Sequence, residues 1–113
     1  MEYKVYIIVN SSLNMSVGKI CSQVAHAALL LIDIVCRADS SYVKWKRDNE
    51  PIIVLKATER KLKELIRKYG GIVDFAYVHD AGRTEVLKGS LTCIITPPIL
   101  SSSIEEIGNL SLL

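Results

Sequence analysis

The chain has 113 residues, the length of one domain, and its 14 Lys and Arg against 12 Asp and Glu give a net charge of +2. Hydrophobic residues make up 50% and charged residues 23% of the sequence, a balance that excludes a disordered chain. The net charge is too small to indicate nucleic-acid binding by itself, so that function would require local clusters of basic residues.

The first half of the chain predicts a strand and a long helix. β-branched and aromatic residues predict a buried strand over Tyr3–Val9, and a polar loop follows over residues 10–16. A helix is predicted from Val17 to about Ala38, because apolar residues recur there at +4, +3 and +4. These residues are Ile20, Val24, Ala27 and Leu31. Further apolar residues widen this stripe, so we expect the helix to be buried on more than one side.

The remaining elements are predicted to be a helix, a strand, a helix, two strands and a last helix capped by a serine. In that order they cover Ser40–Asp48, Ile52–Ala57, 59–69, Ile72–His79, Leu91–Thr96 and Ser101–Ile107. The order β-α-α-β-α-β-β-α predicts a three-layer α/β fold, in which helices flank a mixed four-stranded β-sheet. We expect residues 1–113 to form a single domain.

The cysteines and the apolar segments indicate a cytoplasmic location. Cys21, Cys36 and Cys93 are odd in number and widely spaced among apolar residues, so we expect buried free thiols and a reducing compartment. The apolar stretch near the N-terminus is too short for a signal peptide. The most apolar stretch, Val24–Cys36, is shorter than the ~20 residues of a membrane span. We therefore expect no membrane partner.

Basic residues cluster in two places. Lys44, Lys46 and Arg47 surround Trp45, and a second group lies on and before the third predicted helix. The second group consists of Lys56, Arg60, Lys61, Lys63, Arg67 and Lys68. Either group could contact nucleic acid, but a solvated helix face is the more common explanation of such charges.

The start of the long helix is the first candidate site. Lys19, Gln23 and His26 follow each other at +4 and +3 and share one edge of the helix. Taken singly, Gln23 and His26 could be buried hydrogen-bonding residues. Lys19 lies in the first turn, where the helix dipole disfavours a cation, so a nearby carboxylate or anionic ligand is expected.

The second candidate site is the segment Asp80-Ala81-Gly82-Arg83-Thr84, which directly follows a predicted strand. An Asp-x-Gly turn accounts for Asp80 and Gly82 without any function, but not for Arg83 and Thr84. Sites in α/β folds are commonly built where strands end. Thr92 on the next strand is a further candidate, although Thr is also an ordinary strand residue.

Together these residue types suit ester hydrolysis by water without a metal or cofactor. An Asp can orient or deprotonate water, Lys and hydroxyl groups can stabilise an oxyanion, and Arg suits phosphate recognition. No nucleophilic-serine turn and no glycine-rich phosphate loop is present. A metal-dependent hydrolase using His26, His79 and Asp80 is an alternative.

The chain resembles the archaeal and eukaryotic type of peptidyl-tRNA hydrolase. One matching stretch runs from Gly18 to Ala28 and contains the pattern Gly-Lys, Gln and His-Ala. The other is the segment 80–84, followed by Gly89 and Thr92. The likeness covers essentially the whole chain, and its two motifs are specific in combination.

The resemblance implies hydrolysis of the ester that joins a peptide to the 3′-terminal ribose of tRNA, which recycles tRNA from stalled translation. It implies peptidyl-tRNA as the partner, no cofactor, no metal and a homodimer. Its catalytic positions correspond to Lys19, His26, Asp80, Thr84 and Thr92. Its substrate-binding positions correspond to Gln23, Gly82 and Arg83.

The loop before Lys19 departs from the family pattern Lys-Met-Gly-Lys-Gly-Lys. Here it reads Asn14-Met15-Ser16-Val17-Gly18-Lys19, so two of three lysines and one glycine are replaced. Each lost phosphate contact weakens tRNA binding and its dependence on salt. A non-catalytic relative that binds tRNA or a protein partner is therefore the alternative function.

Overall fold

A computed structural model describes residues 2–82 and 86–113. Within these residues, five strands and four α-helices follow one another in the order β-α-α-β-α-β-β-β-α. They are β1 Tyr3–Asn10, α1 Val17–Ile34, α2 Ser40–Arg47, β2 Ile52–Ala57, α3 Glu59–Tyr69, β3 Ala76–His79, β4 Leu91–Ile95, β5 Ile99–Leu100 and α4 Glu105–Gly108. The predicted α/β class and the flanking helices are confirmed.

The mixed sheet has the strand order β2-β1-β4-β3, and β5 pairs with the start of β1 outside this path. β1 runs parallel to β2, with Ile7 opposite Val54, and antiparallel to β4. β3 pairs with β4 in antiparallel orientation. This arrangement leaves β2 and β3 at the two edges of the path.

The two faces of the sheet carry separate apolar layers, because successive side chains of a strand point to opposite faces. Val5, Ile7 and Val9 of β1 pack in the layer that contains α1 and α2. Tyr6 and Ile8 pack in the layer of α3 and α4 on the opposite face. The central strand is therefore buried on both sides, as its continuous apolar run predicts.

Several predicted boundaries are wrong. α1 ends at Ile34 because Val35 is extended and Asp39 must cap α2, where its side chain accepts a hydrogen bond from Ser41 N. β3 begins only at Ala76, after hydrogen-bonded turns at the end of α3. The short strand β5 was not predicted, and α4 starts beyond the serines without a side-chain cap.

α1 packs on the sheet with one face only, contrary to the expectation of broader burial. Gln23, Ala27 and Leu31 are its buried residues, whereas Leu29 and Ile32 are 66% and 55% exposed. α1 is long and apolar enough to cross a membrane by length and composition alone, although it contacts β3 and β4. The expectation of buried thiols holds for Cys93 but is wrong for Cys21 and Cys36, which are exposed.

The C-terminal residues extend the sheet beyond β2. Lys56 N donates a hydrogen bond to Ser111 O at 2.9 Å, and Leu113 N donates to Val54 O at 3.2 Å. The chain itself thus covers the β2 edge of the sheet, and this protects the edge from pairing with other chains.

Candidate active site

Lys19 and Asp80 form an ion pair that joins the start of α1 to the end of β3. Lys19 Nζ donates a hydrogen bond to Asp80 Oδ1, and both side chains are largely buried, at 10% and 3% exposure. The backbone at Lys19 is fixed by Ser16, whose side chain caps α1 and accepts a hydrogen bond from Lys19 N. Asp80 is thus the anion that the sequence predicts near Lys19.

Asp80 is held as a carboxylate by its surroundings. The hydrogen bond from Lys19 lowers the pKa of Asp80 most strongly, and a hydrogen bond from Gly82 N to Oδ2 at 2.6 Å lowers it further. Burial opposes these effects because it disfavours the charged form. The net pKa lies below the usual value, so Asp80 is ionised at neutral pH.

The turn after β3 requires glycine at position 82. Gly82 has a positive φ of 77°, and a Cβ atom there would lie 2.5 Å from Lys88 Cβ. Backbone hydrogen bonds from Asp80 N to Ser90 O and from Gly89 N to Asp80 O close the loop. Of the predicted site residues, Arg83 and Thr84 lie outside the described residues.

Gln23 and Thr92 form a buried polar pair between α1 and β4. Gln23 Nε2 donates to Thr92 Oγ1 at 2.8 Å, and Thr92 Oγ1 donates to Val78 O at 3.1 Å. Because the Thr92 hydroxyl is fully buried and already makes both bonds, the structure places it behind the site. Thr92 fixes the amide of Gln23, which lines the adjoining cleft.

A cleft of about 630 Å³ opens beside the ion pair, between α1 and β3. Residues of α1 line one wall and consecutive residues of β3 and the following turn line the other. They are Lys19, Ser22, Gln23, His26, Leu29 and Leu30 on α1, and Tyr77, Val78, His79, Asp80 and Ala81. His26 is exposed and faces this cleft, so it is not a core histidine. The sequence does not indicate the contribution of Leu29 and Tyr77, because an exposed apolar residue has no distinguishing pattern.

The basic clusters prove to be partly structural. Trp45 is buried and its Nε1 donates to Pro51 O at 2.9 Å, so its ring packs in the core. Lys61 and Lys68 are both paired with Glu106. Within residues 2–82 and 86–113, no three His, Cys, Asp or Glu side chains are grouped closely enough to hold a metal ion.

Known proteins match the chain over nearly its whole length. Residues 3–113 match the protein family described as "Peptidyl-tRNA hydrolase PTH2". A peptidyl-tRNA hydrolase of Sulfurisphaera tokodaii is 35% identical, with 100% of both chains covered. Those of Sulfolobus acidocaldarius and Saccharolobus islandicus are 35% and 33% identical, with 97% of this chain and 99% and 98% of theirs covered.

Proposed function

This chain belongs to the PTH2 family of peptidyl-tRNA hydrolases, and we propose that the Lys19–Asp80 pair is its catalytic centre. The reaction is hydrolysis of the ester between a peptide and the 3′-terminal ribose of tRNA. The observation that carries the assignment is the buried ion pair at the mouth of a cleft, where the two sequence motifs of the family meet.

Asp80 orients the attacking water in this proposal. A carboxylate whose pKa is lowered accepts a hydrogen bond from water but has little affinity for its proton. The water oxygen adds to the ester carbonyl, whose oxygen becomes an oxyanion. The oxyanion then re-forms the carbonyl as the bond to the ribose oxygen breaks, and the proton released by the water passes to the departing ribose oxygen. The role of Asp80 is therefore to fix and polarise the water rather than to remove its proton completely.

Lys19 stabilises the negative charge that develops. An ammonium group has three N–H donors, and the bond to Asp80 uses one of them. The remaining donors can reach an oxyanion or the terminal phosphate in a partly buried site, where such contacts are strong. Thr84 and Arg83 follow Asp80 in the chain, and we assign them to oxyanion and phosphate contacts on the basis of the family resemblance.

Gln23 and His26 bind the substrate in this assignment. Gln23 is fixed by Thr92 and lines the cleft four residues after Lys19. His26 lies on the same wall and is exposed, so it can contact substrate without changing the core. Gly82 contributes its backbone N–H to Asp80, which makes it a positioning residue.

The test is release of N-acetyl-phenylalanine from N-acetyl-phenylalanyl-tRNA by the wild-type protein in chelator. Turnover supports a metal-independent hydrolase, whereas loss of turnover in chelator with recovery in zinc would indicate a metal enzyme. A folded protein that binds this tRNA without releasing the amino acid would instead be a binding module. This alternative is favoured by Asn14 and Val17, which are exposed and uncharged where the family pattern has lysines.

We also propose a cytoplasmic homodimer that buries the outer face of α1. Cys21, Ala25 and Ile32 are exposed there at spacings of +4 and +7, on a stripe separate from the cleft. A second copy of this chain would remove these apolar groups from water. Sedimentation of Ile32→Asp tests this, since the substitution is expected to give monomers. The matched control is Ile72→Asp, at an exposed residue beyond α3.

A further inference from the structure

β3 is an edge strand whose outer side is unpaired in the described part of the chain. It lies at the end of the path β2-β1-β4-β3, and its recorded partner is β4 alone. The opposite edge, β2, is covered by the C-terminal residues. Of the two edges of this path, the one beside the Lys19–Asp80 pair thus remains able to pair with an added strand.

The registers of β4 with β1 and with β3 determine which backbone groups of β3 point outward. Thr96 N donates to Tyr6 O, so alternation along β4 turns Ile94 toward β1 and Cys93 toward β3. Cys93 lies opposite Val78, which therefore faces β4. Tyr77, one residue earlier, directs its N–H and C=O away from the sheet. Asp80 N bonds to Ser90 O, which leaves His79 facing outward as well.

The cleft follows this edge. Residues 77–81 line it consecutively. Residues 77–79 belong to β3, and successive side chains of a strand point to opposite faces, so these three can share one cleft only along the strand edge, where the backbone is presented. The facing wall is a single stripe of α1, with Ser22, His26 and Leu29 at +4 and +3. The cleft therefore offers backbone groups on one side and a helix face on the other.

We propose that the peptide part of the substrate binds in this cleft as an added strand that runs parallel to β3, with its esterified end at Asp80. The inference rests on the proposed function, because the cleft begins at the Lys19–Asp80 pair. Tyr77 and His79 pair with the peptide backbone, a mode of recognition in which main-chain hydrogen bonds provide the affinity. Such main-chain pairing reads no side chain, so it does not by itself restrict the sequence of the peptide.

The geometry also sets the length of peptide that is recognised. Leu29 lies ten residues after Lys19, about 15 Å along the helix axis. An extended peptide spans this distance with about four or five residues. Leu29 is 66% exposed and lines the cleft, so it is placed to contact an apolar side chain about four residues from the ester.

The first experiment measures hydrolysis of N-acetyl-peptidyl-tRNAs that carry one to six residues and end in the same phenylalanine. KM is expected to fall by about tenfold in total up to four or five residues and then remain constant, since each main-chain hydrogen bond adds a modest gain. Methylation of single peptide nitrogens should raise KM at alternate residues only, because every second N–H faces β3. Each methylated residue has its neighbour as a matched control.

Leu29→Ser provides an independent test with Ile72→Ser as its control, since both residues are exposed and apolar. Leu29→Ser should raise KM by about threefold to tenfold for a substrate with leucine four residues from the ester, and Ile72→Ser should not. If all lengths have the same KM while N-acetyl-phenylalanyl-tRNA is still hydrolysed, the peptide site is refuted and the proposed function stands. If no substrate is hydrolysed, both are refuted. A shift of Leu29→Ser from dimer to monomer, with no effect of peptide length, would assign the cleft to a second copy of this chain.

Discussion

Lys19 donates a hydrogen bond to Asp80 across 61 positions of the sequence, and this contact joins the first turn of α1 to the end of β3. A cation in the first turn of a helix is unfavourable, and a buried carboxylate at a strand end is unfavourable as well. The pair satisfies both groups at the mouth of a cleft. Removing one partner is expected to change both the charge state of the remaining side chain and the rate of hydrolysis.

Removal of the Lys19 charge should change the pH dependence of hydrolysis. The Lys19 hydrogen bond is the largest cause of the lowered pKa of Asp80, so Lys19→Gln should raise that pKa. Because the proposed mechanism uses the Asp80 carboxylate, the acidic limb of the profile of kcat/KM against pH should move to higher pH. The same profile for Lys63→Gln, at an exposed lysine of α3, should match the wild type. An unchanged acidic limb in Lys19→Gln would contradict the role of the pair.

Thr92 is predicted to support the site through Gln23. Thr92→Val preserves the shape of the side chain but removes the acceptor for Gln23 Nε2. Leaving a buried donor unpaired costs about 1–3 kcal/mol of the free energy of unfolding, measurable in urea. Thr92→Ser keeps the hydroxyl and should cost less and retain KM. A Thr92→Val protein as stable and active as the wild type would refute this role.

Restoring a lysine of the family pattern should strengthen tRNA binding. Val17 and Ile72 are both 78% exposed, so lysine fits at either position without disturbing the core. Val17→Lys lies two residues from Lys19. One added phosphate contact should steepen the slope of log K, the tRNA association constant, against the logarithm of the salt concentration by about 0.7–0.9. Ile72→Lys adds the same charge away from the site. Equal salt slopes in the two variants would show that the loop does not contact tRNA.

Glu106 is predicted to make stability depend on acidity. Lys61, Lys68 and Tyr69 donate hydrogen bonds to it and lower its pKa to about 2. A depressed carboxyl pKa stabilises the fold above the unfolded value near 4.5, and this contribution is lost as the pH falls toward 2. Glu106→Gln should therefore lower Tm at pH 7 and flatten its dependence on pH between these values. Glu105→Gln is the matched control, and equal Tm profiles for the two variants would contradict the role of Glu106.

The sequence predicts most of the sheet because β1 and β2 carry strong local patterns. The predicted bounds of β2 and α3 agree with the structure, and so does the anion beside Lys19. Val73 and Phe75 alternate like strand residues, yet hydrogen bonds from Ile72 N and Val73 N to Tyr69 O continue the end of α3. Local periodicity cannot distinguish this buried turn from a strand.

The candidate site was predicted less completely, for a similar reason. Lys19, Gln23 and Asp80 stand out because their chemistry conflicts with their local setting. Thr92 also matches the family, but its burial depends on packing between α1 and β4 that no local pattern records. The open edge of β3 follows from strand order, which a single sequence leaves undetermined.

The most direct test of the catalytic assignment is single-turnover hydrolysis of N-acetyl-phenylalanyl-tRNA by wild type and Asp80→Asn, in chelator and low salt. Asp33→Asn, at an exposed residue of α1, is the matched control. We predict that Asp80→Asn stays folded and binds tRNA, while its rate falls by about 10²–10⁴-fold and that of Asp33→Asn is unchanged. A folded Asp80→Asn protein that hydrolyses the substrate at the wild-type rate would contradict the account.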